Sequence, residues 1–118
     1  MRRFQLPTRD IDAYASDGVT MDFLPRVIGG DETTVHIARI AAGGTIGRHP
    51  AALAQFFAVL HGEGLVDVDD GGRLRISPGE GVWWEPGEDH QSWAMTPMTV
   101  AIVETNGYFA VTEHFPEL

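Results

Sequence analysis

The chain holds five histidines and neither cysteine nor lysine, and two of those histidines, His49 and His90, stand in glycine-framed segments. The first segment reads Gly43-x5-His49-x-Ala51-x3-Gln55-x6-Gly62 and the second Gly79-x5-Glu85-Pro86-Gly87-x2-His90-x3-Ala94. Imidazole either ligates a transition metal or trades hydrogen bonds and protons with a small molecule near neutral pH. Without cysteine there is no disulfide, no thiolate nucleophile and no Cys-ligated zinc or iron–sulfur cluster. Without lysine there is no Schiff-base chemistry. Any metal must therefore rest on His, Asp, Glu, Gln or Asn. No Ser/His/Asp elbow and no zinc-protease helix motif is present, and Gly29-Gly30 and Gly43-Gly44 lack the following helix that a phosphate cradle requires.

Seventeen acids oppose eight bases, all arginine, for a formal charge of −9. A surface this acidic repels phosphate backbones and anionic lipid, so neither nucleic acid nor membrane is an expected partner. The opening MRRFQLPTRD has no apolar stretch after its arginines, unlike a secretory signal, and the expected location is the cytoplasm. At 118 residues, with 43% hydrophobic and 21% charged residues, the chain is expected to form one soluble domain.

The elements that must position these histidines are strands. Fourteen glycines recur with Pro, Asn and Asp at short intervals between β-branched and apolar runs, the punctuation of an antiparallel barrel or sandwich. The candidate strands are 33–41, 54–60, 64–69, 73–76, 81–84, 90–95, 99–104 and 108–114. Asp69-Asp70-Gly71-Gly72 supplies a tight hairpin turn between the third and fourth. Residues 1–32 carry weaker signals and read as an N-terminal arm with one or two edge strands, leaving 33–118 as the barrel. Eight short strands in so small a chain suit a closed barrel or two-sheet jelly roll, which shields strand edges.

In spacing, the two glycine-framed segments resemble the paired motifs of the cupin superfamily, and the wording GRHPAALAQFF, LHGEG and WWEPGEDHQSW is similar to that of small single-domain bacterial cupins, RmlC-like barrels of unassigned activity. The resemblance spans about residues 41–104. It implies an all-β fold, the double-stranded β-helix or jelly-roll barrel, with His49 and His90 on neighbouring strands pointing inward toward one metal ion. It also implies a homodimer paired through edge strands. At the family's second histidine and its glutamate this chain has Ala51 and Gln55.

Two functional readings follow. In one, a divalent Zn, Fe, Mn or Ni ion sits on His49, His90 and Gln55 and serves an enzyme acting on a small organic substrate. The other is a metal-free binder or sensor in which Gln55, Phe57, Trp84 and Ser92 line a pocket and hold a small-molecule ligand. An amide offers a cation only a neutral oxygen, so Gln55 is the weak point of the first reading. Glu85 either folds back over the barrel mouth as a replacement carboxylate or remains a solvated rim acid. Strand alternation puts Phe57, Val59 and His61 on the face of Gln55, with His61 a buried, hydrogen-bonded core residue. Of Trp83 and Trp84 one ring points inward, joined by Phe56 or Phe57 and Trp93. Arg39 is a candidate carboxylate fork. Arg48, next to His49, faces the opposite way toward solvent. His36 has no assignable side, and His114 reads as a surface residue.

Overall fold

The structure is a computed structural model in which residues 1–68 and 71–118 are described. Thirteen strands run β1 (Arg2–Gln5), β2 (Thr8–Ile11), β3 (Val19–Asp22), β4 (Arg26–Ile28), β5 (Thr33–Ile40), β6 (Thr45–Pro50), β7 (Ala54–His61), β8 (Gly64–Asp67), β9 (Arg73–Ile76), β10 (Glu80–Trp84), β11 (Asp89–Ala94), β12 (Met98–Thr105) and β13 (Tyr108–Ala110). A single 3-10 turn at Ala13–Ala15 is the only helical element among the described residues. No helix there is long and apolar enough to cross a membrane.

A five-stranded sheet in the order β1-β10-β7-β12-β5 faces a four-stranded sheet in the order β6-β11-β8-β9, and every pairing is antiparallel. This is the all-β jelly roll that the punctuation implied. Two ribbons, β13-β4 and β2-β3, complete it.

The central strands of the five-stranded sheet, β10, β7 and β12, are covered on both faces, which explains their sequence. A half-buried strand alternates apolar and polar residues, whereas one covered on both sides reads as a continuous apolar run. On β7, Phe57 and Val59 enter the core between the sheets with Val66, Ile76, Val82, Trp84 and Val100. Their neighbours Phe56 and Ala58 enter a second core with Phe4, Trp83, Ala101 and Phe109, sealed by Leu24, Val27, Val111 and Phe115. Full burial of one Phe side chain contributes about 1.5–3 kcal/mol. Gly62 ends the first motif at φ +83°, and a Cβ there would strike the backbone of Pro97 and Met98, so the turn admits only glycine.

Three expectations are corrected. Strand β6 was absent from the candidates because Gly47 and Pro50 interrupt its pattern; it lies at a sheet edge, where such residues are tolerated. The last strand stops at Ala110 instead of reaching His114, and turns follow it before Pro116. The first 28 residues hold four strands rather than one or two, and β1 pairs with β10. Asp69 and Asp70 of the expected hairpin turn lie outside the described residues; Gly71 has φ +81° and donates its N–H to Val68 O at 3.0 Å.

Candidate functional site

Register brings the two imidazoles together. His49 on β6 and His90 on β11 are direct cross-strand partners, and a bulge between His90 and Ser92 shifts the pairing beyond them. Their ring centroids are 4.3 Å apart with planes at 58°. His49 stands at the exposed mouth and His90 lies beneath it, 3% exposed.

Each ring is oriented from behind by the backbone. His49 Nδ1 lies 2.7 Å from Gly47 O, and His90 Nδ1 lies 3.1 Å from Glu88 O. A carbonyl only accepts, so each Nδ1 carries a proton, and in the neutral form of the ring the lone pair is on Nε2. Burial pushes the pKa of His90 below its ordinary 6.5; the Glu88 carbonyl opposes that shift and proximity to His49 adds to it. The ring is thereby favoured in its neutral form, the state a ligand or a base requires. Trp84 stacks on His90 with centroids 4.4 Å apart at 24°, and Phe57 meets Trp84 edge-on at 5.6 Å.

The floor comes from the five-stranded sheet. Gln55 on β7 is in register with Trp84 on one side and Glu104 of β12 on the other. Its Nε2 donates to Glu104 Oε1 at 3.2 Å, which fixes the amide's orientation and leaves Oε1 as its acceptor. A cavity of about 140 Å³ is lined by these groups together with Ser92, Ile46 and Ile102. The expected set His49, His90, Gln55, Phe57, Trp84 and Ser92 thus converges on one cavity.

Glu104 is the residue that sequence reasoning missed. Its signal was a lone acid closing the apolar run Met98–Val103 one alternation step beyond Ile102. Glu85 remains an exposed rim residue whose backbone N–H donates to Glu88 Oε1 at 2.9 Å.

Other expectations are revised. His61 is exposed rather than buried, because β12 shifts register against β7 between Thr99 and Val100 and the end of β7 leaves the core. Trp93 does not reach the cavity; it lies half-buried under Arg73, whose guanidinium carbon is 3.9 Å from the ring centroid. Phe56 faces the other core, 5.4 Å from Phe109. Arg48 is half exposed and pairs with the buried carboxylate of Asp67 instead of pointing freely to water. His36 and Arg39 are exposed on edge strand β5, away from the cavity.

Residues 36–105, more than half of the chain, match the sequence model of the cupin domain. The chain belongs to the cupin family. No curated protein sequence matches this cupin. Among solved structures, an RmlC-like cupin from Shewanella frigidimarina is similar at 20% identity and a TM-score of 0.60, over 70% of this chain and 84% of its own. A conserved protein of unknown function from Streptococcus pyogenes, SPY1581, is similar at 19% identity and TM-score 0.58, over 64% of this chain and 65% of its own. Salicylate 1,2-dioxygenase from Pseudoaminobacter salicylatoxidans, solved as adducts with gentisate, is similar at 18% identity and TM-score 0.55, over 61% of this chain but only 19% of its own. At these identities the likeness establishes the fold.

At the positions where the cupin pattern carries a second histidine and a glutamate, this cupin places Ala51, which is buried in the core, and Gln55. Among the described residues no group of three or more His, Asp and Glu side chains is gathered closely enough to hold a metal ion. The polar groups that line the cavity are two imidazoles, the Gln55 amide, the Glu104 carboxylate and the Ser92 hydroxyl. In type these donors suit a borderline-soft divalent ion, with Gln55 as third donor and Glu104 supplying the negative charge.

Proposed function

We propose that this cupin is a divalent-metal-dependent enzyme acting on a small organic substrate, its ion held by His49, His90 and Gln55. The observation that carries this reading is the fixing of both Nδ1 atoms on backbone carbonyls, which turns two Nε2 lone pairs to one cavity. Backbone or carboxylate partners of this kind are the usual outer support of metal-ligating histidines. Glu104 acts as the positioning residue: by accepting from the Gln55 amide it polarises the amide oxygen and compensates part of the ion's charge. When bound, such an ion supplies Lewis acidity toward a substrate oxygen. Trp84, Phe57, Ile46 and Ile102 exclude water and favour a flat or apolar substrate, while Ser92 offers a hydroxyl to orient it. His90, favoured as neutral by burial, would serve as ligand or as proton acceptor.

The test is metal analysis of the purified protein and calorimetric titration with Zn²⁺, Mn²⁺, Fe²⁺ and Ni²⁺, in wild type and His90→Ala. Stoichiometric binding that disappears in the variant supports the reading, and no binding of any of the four ions ends it.

A second reading has its own support in that no three-member His/Asp/Glu group is gathered among the described residues. In it the cavity binds a small molecule directly, the two Nε2 atoms accept from the ligand and Gln55 Oε1 accepts beside them. A thermal shift with a metabolite and none with the ions would favour this reading.

The proposal extends to a cytoplasmic homodimer paired through the edge strand β5, on which Val35 and Ile37 are 64% and 51% exposed. Residues 1–32 are proposed as an N-terminal arm with edge strands, β1 among them, on a barrel of residues 33–118 within a single domain.

A further inference from the structure

A second cavity is larger than the one between the histidines. About 500 Å³ lies between the β2–β3 hairpin, residues 23–26, the end of β13 and residues 112–115, against about 140 Å³ at the histidine pair. Its apolar floor includes Phe23, Leu24 and Phe115; Leu24 and Phe115 pack on the outer core of the five-stranded sheet, away from His49 and His90.

The titratable groups lining this cavity are Arg9, Arg26 and His114, and no Asp or Glu joins them. In a chain with 17 acids against 8 arginines, a cavity wall with two arginines and no acid runs against the composition. Arg2, Arg48 and Arg75 each bond a carboxylate, but among the described residues Arg9 and Arg26 have no carboxylate partner. Arg9 is held instead over the Phe23 ring, its guanidinium carbon 4.6 Å from the centroid. His114 Nε2 lies 3.7 Å from Glu113 Oε1, both side chains being exposed.

We propose that this cavity binds a small organic acid, a carboxylate carried on a ring-sized apolar body. Two guanidiniums without a carboxylate partner among the described residues match a carboxylate, and Phe23, Leu24 and Phe115 match the body. The volume falls within the roughly 300–1,000 Å³ of small-molecule sites. A bare inorganic anion would leave the floor uncovered, and a neutral apolar ligand would bury the arginines without a partner. The site is independent of the metal reading of the histidine cavity.

Benzoate is the probe, with benzamide as its neutral counterpart and inorganic phosphate as the bare anion, followed by calorimetry and by the amide chemical shifts of Phe23, Arg26 and His114 in the full chain. Benzoate is expected to move those shifts and to lose roughly tenfold or more in affinity in Arg26→Gln and in Arg9→Gln, the loss that follows from removing one charge-assisted bond. Both arginines are exposed, and circular dichroism checks that the variants stay folded. Three results overturn the proposal: no benzoate binding up to about 10 mM, the weak limit of specific recognition; equal binding of benzamide or phosphate; or benzoate binding that survives in Arg26→Gln but is lost in His90→Ala, which places the acid in the other cavity.

Discussion

The two cavities flank one five-stranded sheet and are built on opposite plans. The histidine cavity is made by register: His49 faces His90 across β6 and β11, and Gln55 faces both Trp84 and Glu104 across β7, so its groups are set by strand pairing. The arginine cavity is made by coverage: the hairpin, β13 and the C-terminal residues close over Phe109 and Phe56, and its charges come from segments distant in sequence. One is small and lined by two imidazoles, an amide and a carboxylate, the other larger and lined by two arginines. The sheet lines the histidine cavity directly and meets the arginine cavity only through the outer core, on which Leu24 and Phe115 pack.

Four changes break or sharpen that contrast. The largest expected effect is on strand β7, which feeds both cores: Phe57→Ala and Phe56→Ala, both essentially buried, should each cost about 3–5 kcal/mol in denaturant unfolding. Phe57→Ala should disturb metal binding and Phe56→Ala should disturb benzoate binding, and the reverse pattern would show that the two faces are not separable. Next, His90→Ala should lower metal affinity by about 100-fold in calorimetric titration, with loss of a direct ligand at the top of the range known for supporting partners.

Glu104→Gln is expected to weaken metal binding about tenfold while leaving benzoate binding unchanged, as measured by paired titrations. An unchanged metal affinity would remove Glu104 from its positioning role. The smallest effect is on pH. The folded-state pKa of His90 lies below its ordinary 6.5, so as the pH falls through 6.5 the unfolded chain binds a proton that the native ring resists. Stability should therefore decline with falling pH from about 6.5 toward the lower folded pKa and level off beneath it. Chemical unfolding of wild type and His90→Phe across pH 5–8 checks this, the variant lacking that part of the slope.

What was legible in the sequence tracks these two plans. The strands of the barrel centre could be read because a sheet covered on both sides writes long apolar runs, as in Ala54–Leu60 and Met98–Val103, between glycine-rich turns. The site residues on them, His49, Gln55, Trp84 and His90, followed from the glycine-framed motifs. Glu104 escaped because a single acid at a strand end looks like a solvated terminus until cross-strand register sets it beside Gln55. His61 was misplaced by carrying strict alternation through a bulge, a three-dimensional event without a sequence mark, and Trp93 by grouping it with the pocket aromatics although alternation sets it opposite His90 and Ser92. The arginine cavity left no local pattern at all, since Arg9, Arg26 and His114 meet only when terminal segments fold over the sheet.

The neighbouring rings of Trp83 and Trp84 have an optical consequence. Trp83 meets Phe109 edge-on at 5.4 Å beneath Arg2, whereas Trp84 stacks on His90, and Trp93 sits under Arg73. Three indoles therefore sample three separate compartments. With two of them replaced by Phe in turn, emission from the remaining one becomes a private lamp for the outer core, the imidazole chamber or the barrel exterior.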